Sequence, residues 1–417
     1  MKKAKQTLLI IAIGLLLTSC APVINIPTLN PGNKADAGDV VQANNLFALD
    51  LYNHYKTKEG NIFFSPYSIS TALAMTYEGA KGKTASEIQD VFHFPKDGEK
   101  MRSGYANVIS ELNKKDKPYE LQTANALWAH NGFTFLDDYF DLIGKYYGGK
   151  VTNLDFVKDT ENSRKTINTW VEQQTKNKIK DLIPAGMLDP TTRLVLTNAI
   201  YFKGDWIKQF EKNNTRPQDF RITPENQVEV QMMNRTDKEA KFNYAENDIL
   251  QILEMPYKGD ELSMLVLLPK NDDLEKLENS LSLKNIESWK KGLENQRVKV
   301  YFPKFKFETK YFMKDDLTSM GMPTAFTWPD ADFTGMTGDI PQEDRLYIGF
   351  VIHQAYVEVD EKGTEAAAAT AVGMLTGAAP GFVEQIPVFL ADHPFIFIIQ
   401  HKETGNILFM GRVSDPR

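Results

Sequence analysis

The chain has 417 residues, of which 42% are hydrophobic and 25% charged, a composition that excludes a disordered chain, a collagen-like repeat and a multi-span membrane protein. Its formal charge of −7 and isoelectric point of about 5.6 argue against a basic surface that binds nucleic acid. The single cysteine, Cys20, excludes an intrachain disulfide and a cysteine-based zinc site.

Residues 1–19 are typical of a signal peptide. Lys2, Lys3 and Lys5 precede an apolar stretch of about ten residues, whereas a membrane-spanning helix needs about 20. The small residues directly before Cys20 resemble a bacterial lipobox, in which the peptide is cut before the cysteine and the thiol carries a lipid. Ordinary secretion, which leaves Cys20 as a free thiol, is the alternative. Either cleavage removes three lysines and no acidic residue, so the formal charge changes from −7 to −10.

The segment after Cys20 predicts a tether followed by one domain. Proline, glycine and asparagine residues in this segment favour an extended, flexible chain over residues 20–38. From about Asp39 onward no linker, charge block or repeat divides the chain, so a single domain is expected over residues 39–417. The lipobox implies an exported protein that is lipid-anchored on a bacterial membrane and extracytoplasmic. Ala21 resembles the sorting pattern for the outer membrane in a cell with two membranes.

Hydrophobic periodicity predicts an α+β fold. Helices are expected at residues 40–55, 68–77 and 162–179, the second entered through Ser65-Pro66. Strands are expected at residues 193–202, 262–268, 298–307 and 346–359, and a hairpin joins strands 395–400 and 407–413. Helices dominate the first half and strands the second, which differs from a regular βαβ alternation.

No enzyme signature is complete. The segment from Gly79 to Thr84 lacks the glycine that a phosphate-binding loop needs five residues before Gly82, because Tyr77 occupies that position. The six histidines form no close pair of metal ligands, and no G-x-S-x-G motif supplies a hydrolase nucleophile. The sequence therefore predicts no enzyme activity, no cofactor and no metal.

Six segments, in order along the chain, resemble the serpin family. They are Asn61–Ser70, Thr197–Trp206, Tyr301–Phe305, Ala331–Met336, Val359–Ala369, and His393–Phe395 together with Gly411–Val413. The resemblance covers nearly all of residues 39–417. It implies the serpin fold, an α+β domain with three β-sheets, eight or nine helices and an exposed reactive-centre loop at about residues 361–390.

The resemblance also implies a function. Members of the family mostly inhibit serine proteases as suicide substrates, and some inhibit cysteine proteases. The protease cuts the exposed loop and forms an acyl-enzyme, and the loop then inserts into the large sheet as a new central strand and distorts the protease. A monomeric inhibitor whose partner is a protease is therefore expected. The alternative is a non-inhibitory binding or carrier protein with the same fold, while no motif supports a membrane-anchored hydrolase.

The hinge of the loop must be acceptable both as an exposed segment and as a strand. By resemblance its residues are Glu361, Gly363, Thr364, Glu365, Ala366, Ala367, Ala368 and Ala369. In a strand, every second residue from Thr364 to Thr376 would face one side, and all of these are small, apolar or hydroxyl-bearing. No proline interrupts residues 361–379. The alternative is a surface helix, because alanine is the strongest helix former.

Two further clusters follow from the resemblance. The shutter, under the middle of the sheet where strands part, comprises Ser65, Ser68, Asn198 and His353. The breach, at the top of the sheet where insertion begins, comprises Trp206 and Lys304, the latter paired with Glu361. Because buried polar groups need partners, the shutter is expected to act as a latch.

The reactive bond is located by counting. A forward count from Glu361 gives Gly377–Ala378, whereas a backward count from the segment at His393 gives about Val383. The two counts disagree because this loop is some six residues longer than the common pattern. Neighbouring bonds remain open alternatives, at Met374, Leu375 and Thr376. No lysine or arginine lies nearby, and small residues favour elastase-like or subtilisin-like targets over trypsin-like ones. Met374 or Leu375 would suit chymotrypsin-like or papain-like enzymes.

Overall fold

The computed structural model of the chain describes residues 32–114, 116–364 and 385–417, apart from the side chain of residue 343. The predicted signal peptide, Cys20, and residues 365–384 of the predicted loop lie outside the described residues.

Ten α-helices lie within these described residues: α1 (Lys34–Tyr55), α2 (Pro66–Tyr77), α3 (Gly82–Phe92), α4 (Gly98–Leu112), α5 (Asp137–Tyr147), α6 (Thr160–Gln174), α7 (Leu274–Ser280), α8 (Leu283–Lys291), α9 (Lys314–Met320) and α10 (Thr334–Thr337). The number exceeds the predicted eight or nine because α7, α9 and α10 have seven residues or fewer. Such short helices give little hydrophobic periodicity to read from a sequence.

The same residues form seventeen strands: β1 (Ile62–Phe64), β2 (Tyr119–His130), β3 (Lys150–Leu154), β4 (Leu194–Asp205), β5 (Arg216–Thr223), β6 (Asn226–Arg235), β7 (Lys241–Glu246), β8 (Leu250–Pro256), β9 (Leu262–Pro269), β10 (Glu294–Arg297), β11 (Lys299–Pro303), β12 (Phe305–Phe312), β13 (Phe350–Val359), β14 (Gly363–Thr364), β15 (Val388–Leu390), β16 (Phe395–His401) and β17 (Ile407–Val413). They assemble into three sheets, as predicted. The orders are β1-β17-β16-β9-β8-β7-β10, β15-β11-β6-β5 and β12-β13-β14-β4-β2-β3.

The first helix begins earlier than the predicted start of the domain. Asn33 caps α1, since its Oδ1 accepts a hydrogen bond from the Ala35 amide at 3.0 Å. Ala37 is buried, and α1 approaches α4 closely enough that a Cβ at Gly104 would lie 2.6 Å from the Asp36 carbonyl oxygen. Residues 34–38 therefore belong to the domain, and their assignment to the flexible tether is wrong.

Two other predicted elements differ from the structure. The strand expected over residues 298–307 divides at Lys304 into β11 and β12, which belong to different sheets. The helix expected to reach Ile179 ends at Gln174, and Lys176 and Asn177 follow with left-handed φ angles of 51° and 60°. Left-handed backbone ends a helix.

The six-stranded sheet lies between two buried layers. On one side α2 contacts β2, β4 and β17, and its N-terminus is capped by Ser65, whose Oγ accepts a hydrogen bond from the Ser68 amide at 3.1 Å. On the other side α6 packs Ile167 and Val171 against Trp128 of β2. A strand added to the centre of this sheet would be buried on both faces.

Candidate functional site

The two central strands of the six-stranded sheet, β4 and β13, pair directly at one end and are separated by β14 at the other. Strands β4 and β13 pair directly in parallel from Val195↔Phe350 to Ile200↔Ala355. Beyond that point β14 lies between them, and Thr364 pairs antiparallel with Gly204 of β4 and with Val359 of β13. Gly363 and Thr364 of the predicted hinge therefore already form a short strand between the two.

Gly363 and Thr364 fit this position closely. Thr364 is 1% exposed, and its Oγ1 lies 2.8 Å from the hydroxyl of Tyr257, so the side chain faces the interior as the alternation predicts. A Cβ at Gly363 would lie 2.0 Å from the carbonyl oxygen of Gly204, which only a glycine avoids. Both residues therefore suit the position of β14: glycine at 363 because no Cβ fits, and threonine at 364 because its hydroxyl contacts Tyr257.

We expect Gly363→Ala to displace β14 from the sheet. The added methyl group forces backbone apart, which should lower the free energy of unfolding by about 1–3 kcal/mol. The fluorescence of Trp206 should change, because its amide donates to the Lys362 carbonyl at 2.6 Å. Urea titration and tryptophan emission measure both effects. The matched control is Gly38→Ala, where a Cβ meets nothing within 4 Å; equal behaviour of the two variants would contradict the assignment.

The predicted breach residues lie together beside β14. Trp206 donates from Nε1 to the Asp360 carbonyl at 3.1 Å and stacks on Tyr257, with ring centroids 4.5 Å apart. Lys304 Nζ donates to Glu361 Oε2 at 2.8 Å, so the predicted pairing is present. Burial alone would raise the pKa of the Glu361 carboxyl, but hydrogen bonds from Lys304 and Thr215 outweigh it and lower that pKa. Glu361 is therefore charged at neutral pH.

The predicted shutter residues form one hydrogen-bonded cluster across β4 and β13. His353 and Asn198 are register partners, and His353 Nδ1 contacts Asn198 Oδ1. The Ser65 amide donates to His353 Nε2 at 3.1 Å, and Asn198 Nδ2 donates to Ser68 Oγ at 2.5 Å. Separating β4 from β13 breaks the contact between His353 and Asn198. The cluster therefore links β4 to β13 through buried side chains.

Asn125 is a member of this cluster that sequence reasoning missed. It pairs across β2 and β4 with Asn198, whose Nδ2 donates to Asn125 Oδ1 at 2.5 Å. Ser68 Oγ donates to the same oxygen at 3.2 Å. The available signal was one amide within an otherwise apolar run, Ala124 to Ala129, in a strand that was not predicted. The shutter cluster comprises Ser65, Ser68, Asn125, Asn198 and His353.

The histidine of the shutter cluster is held neutral. His353 is fully buried, and the loss of solvation lowers its pKa from 6.5 to about 3. Its two contacts fit one neutral tautomer, in which Nδ1–H donates to Asn198 Oδ1 and Nε2 accepts from the Ser65 amide. The cluster is therefore complete without any charge.

The remaining predicted residues are in the loop itself. Glu365, the alanines at 366–369, the Gly377–Ala378 bond and its alternatives Met374, Leu375, Thr376 and Val383 lie outside the described residues. The two ends of the loop belong to different sheets: β14 pairs in the six-stranded sheet, and β15 pairs parallel with β11 in the four-stranded sheet. Residues 365–387, 23 in all, connect the two strands along the chain.

The described residues contain neither a candidate metal site nor a candidate membrane-spanning helix. Within residues 32–114, 116–364 and 385–417, no group of three or more His, Cys, Asp or Glu side chains could hold a metal ion. No helix in those same ranges is both long and apolar enough to cross a membrane.

Known proteins resemble this chain in both sequence and fold. The family model described as serpin (serine protease inhibitor) matches residues 42–416, and the chain belongs to the serpin family. An uncharacterized serpin-like protein of Thermococcus kodakarensis is 44% identical over 96% of this chain and 90% of its own length. The leukocyte elastase inhibitor of Xenopus laevis is 42% identical over 89% and 97%. Human thyroxine-binding globulin complexed with thyroxine superposes with a TM-score of 0.80 at 30% identity, over 91% of this chain and 99% of that one. Serpins include both protease inhibitors and binding proteins.

Proposed function

We propose that this protein is a suicide-substrate inhibitor of serine proteases, with papain-like cysteine proteases as a second target class, and not a catalyst. The observation that carries the proposal is the position of β14, where Gly363 and Thr364 pair with β4 and Thr364 also pairs with β13. A cleaved loop would continue this strand between the two neighbours once their direct pairing opens. The leukocyte elastase inhibitor among the relatives supports an elastase-like target.

The register of β14 supports a specific inserted strand. Thr364 pairs with Gly204 and Val359, and six residues further along, residue 370 would stand opposite residues 198 and 353. Thr370 would then separate Asn198 from His353 and offer its hydroxyl to the two groups that lose each other. The residues on the inward side, including Thr370, carry small, apolar or hydroxyl-bearing side chains, which suit a position that faces the interior.

The same register relates loop length to the reactive bond. Ten residues beyond Thr364, residue 374 would stand opposite Leu194, the first residue of β4. A cut at Gly377–Ala378 leaves the whole of this strand, and three further residues, on the inserting side. The register therefore supports the forward count. A cut at Val383 would leave nine further residues beyond the end of β4.

Insertion must release free energy to trap a protease. A strand over residues 364–374 with a neighbour on each side would gain about ten ladder hydrogen bonds, each worth about 1 kcal/mol net. The shutter cluster opposes the first opening of β4 from β13, because it must lose the contact between His353 and Asn198. A favourable end state behind a buried latch is the arrangement that a suicide inhibitor needs.

The test is incubation with pancreatic elastase, subtilisin and papain, with trypsin as the disfavoured target. We expect loss of elastase or subtilisin activity, a covalent complex that survives SDS, and cleavage after Gly377 by mass spectrometry of the released peptide. The alternative function is that of a carrier, for which the similarity to thyroxine-binding globulin is the supporting observation. Cleavage by every protease without complex or activity loss would favour the carrier.

The proposal includes a lipid anchor at Cys20. Its support is the sequence of a lysine-rich start, an apolar run of about ten residues and small residues before the cysteine. In a bacterial host, we expect the full chain to incorporate labelled palmitate and to sediment with membranes. Cys20→Ser should lose both properties, since each buried CH₂ of the acyl chains contributes about 0.8 kcal/mol. An unchanged membrane fraction for Cys20→Ser would contradict the anchor.

A further inference from the structure

A cavity of about 670 Å³ lies at the end of the six-stranded sheet opposite to β14. Its wall includes Arg193, which directly precedes β4, and Arg345 and Tyr347, which precede β13. By contrast, β14 pairs with Gly204 and Asp205, at the other end of β4. The cavity is therefore remote from the breach, and its volume lies in the range typical of small-molecule sites.

The lining combines positive charge with one guanidinium nitrogen that has no described partner. Arg193 donates from Nη1 to the carbonyls of Pro190 at 3.0 Å and Thr192 at 3.1 Å, which are both neutral acceptors. Arg345 donates from Nη1 to Asp332 Oδ2 at 3.2 Å, while its Nε is buried without a hydrogen-bond partner among the described atoms. An unpartnered buried donor costs free energy, which an anionic acceptor would recover.

A third nitrogen and an apolar wall complete the lining. His130 Nδ1 is also buried without a described partner. Phe133, Ile340 and Trp328 supply apolar surface, and Trp328 is 55% exposed. The exposed Asp344 carries the opposing charge among the described lining residues. The lining thus suits a ligand that has an anionic group and an apolar body.

We propose that this cavity binds a small organic anion, a carboxylate with an aromatic or aliphatic body, and that the bound anion joins Arg193 to Arg345. A guanidinium group forms two parallel hydrogen bonds with a carboxylate, which makes arginine the favoured residue for such recognition. The apolar body of the ligand covers the exposed ring of Trp328.

The position of the cavity connects binding to strand separation. Two hydrogen bonds join the segments that lead into β4 and β13. The Gly349 amide donates to the Leu194 carbonyl at 2.9 Å. The Tyr347 hydroxyl donates to the Thr191 carbonyl at 3.3 Å. An anion shared by Arg193 and Arg345 adds a further link between the two segments. The bound ligand therefore slows insertion of the cleaved loop; this second half of the proposal rests on the proposed function.

Calorimetry of the full chain with indole-3-acetate and with decanoate tests the binding half, and the two acids distinguish an aromatic from an aliphatic body. We expect one saturable site for at least one acid and at least about tenfold weaker binding of the uncharged amide of that acid. Arg193→Gln should weaken binding of the acid by a similar factor. The matched control is Arg216→Gln, an exposed arginine on β5 that should leave binding unchanged.

Three results would overturn the site: no saturable binding of either acid, equal affinity for acid and amide, or equal losses in Arg193→Gln and Arg216→Gln. The acid–amide comparison needs only the unsubstituted chain, so it holds even if Arg193→Gln does not fold. In a second arm, the acid should slow complex formation with elastase for the unsubstituted chain but not for Arg193→Gln. A rate that is unchanged by saturating acid would overturn the coupling. Absence of any complex, with binding intact, would count against the proposed function alone.

Discussion

Thr364→Arg is expected to convert the protein from an inhibitor into a substrate. Thr364 is buried at the top of the sheet with its hydroxyl 2.8 Å from that of Tyr257, so a guanidinium in its place would carry its charge into the interior. Burying an unpaired charge costs several kcal/mol, so the loop should enter the sheet too slowly to trap the protease. The measurement is the molar ratio of inhibitor to elastase needed for full inhibition, which should rise at least about tenfold.

The matched control places the same charge one residue further along. Because adjacent residues of a strand face opposite sides, Glu365→Arg would put its side chain on the other face of the inserted strand. That variant should keep most of its inhibition. If Thr364→Arg forms the covalent complex as efficiently as Glu365→Arg does, then Thr364 is not the entry point of an inserting strand.

His353→Leu is expected to destabilise the native state by about 2–4 kcal/mol. The substitution leaves Asn198 Oδ1 and the Ser65 amide buried without the partner that each has now, and such a group costs about 1–3 kcal/mol. Urea titration measures the change. An exposed histidine, His93, provides the matched control, since His93→Gln removes only a surface contact with Asp50 and should cost less than about 1 kcal/mol.

The same residue makes a pH-dependent contribution. The folded pKa of His353 is about 3, against 6.5 when it is exposed, so between these values the unfolded chain binds a proton that the folded chain does not. Its stabilising contribution is therefore complete above pH 6.5 and is lost as pH falls toward 3. From pH 7 to 5.5, the unsubstituted chain should lose about 1.2 kcal/mol more than His353→Leu does. Parallel pH profiles of the two chains would show that His353 is not buried as a neutral group.

Local signals account for the parts of the site that sequence reasoning anticipated. Ser65 and Pro66 predict the start of α2, because a serine cap followed by proline at the first helical position is a local sequence pattern. The two strands of the C-terminal hairpin, β16 and β17, were read from apolar runs on either side of a turn. The family resemblance then supplied the pairing of Lys304 with Glu361, which no local pattern indicates.

Long-range pairing explains what was missed. Asn125 joins the shutter cluster only because β2 lies beside β4 in register, with Asn125 opposite Asn198. The break at Lys304 depends on which sheet each half of the segment joins, and both halves are equally rich in apolar residues. The early start of α1 depends on packing against Gly104, which is distant in sequence. Contacts of this kind cannot be predicted from the hydrophobic periodicity of a single chain segment.

The central claim is that the cleaved loop becomes a strand between β4 and β13, and the most direct measurement is thermal unfolding before and after one cut in the loop. Thermolysin, a zinc metalloprotease that forms no acyl-enzyme, can make the cut within residues 365–384, and mass spectrometry confirms its position. About ten new ladder hydrogen bonds should raise the unfolding midpoint by on the order of 10 °C. A midpoint that stays the same after the cut would show that the loop remains outside the sheet and would contradict the account.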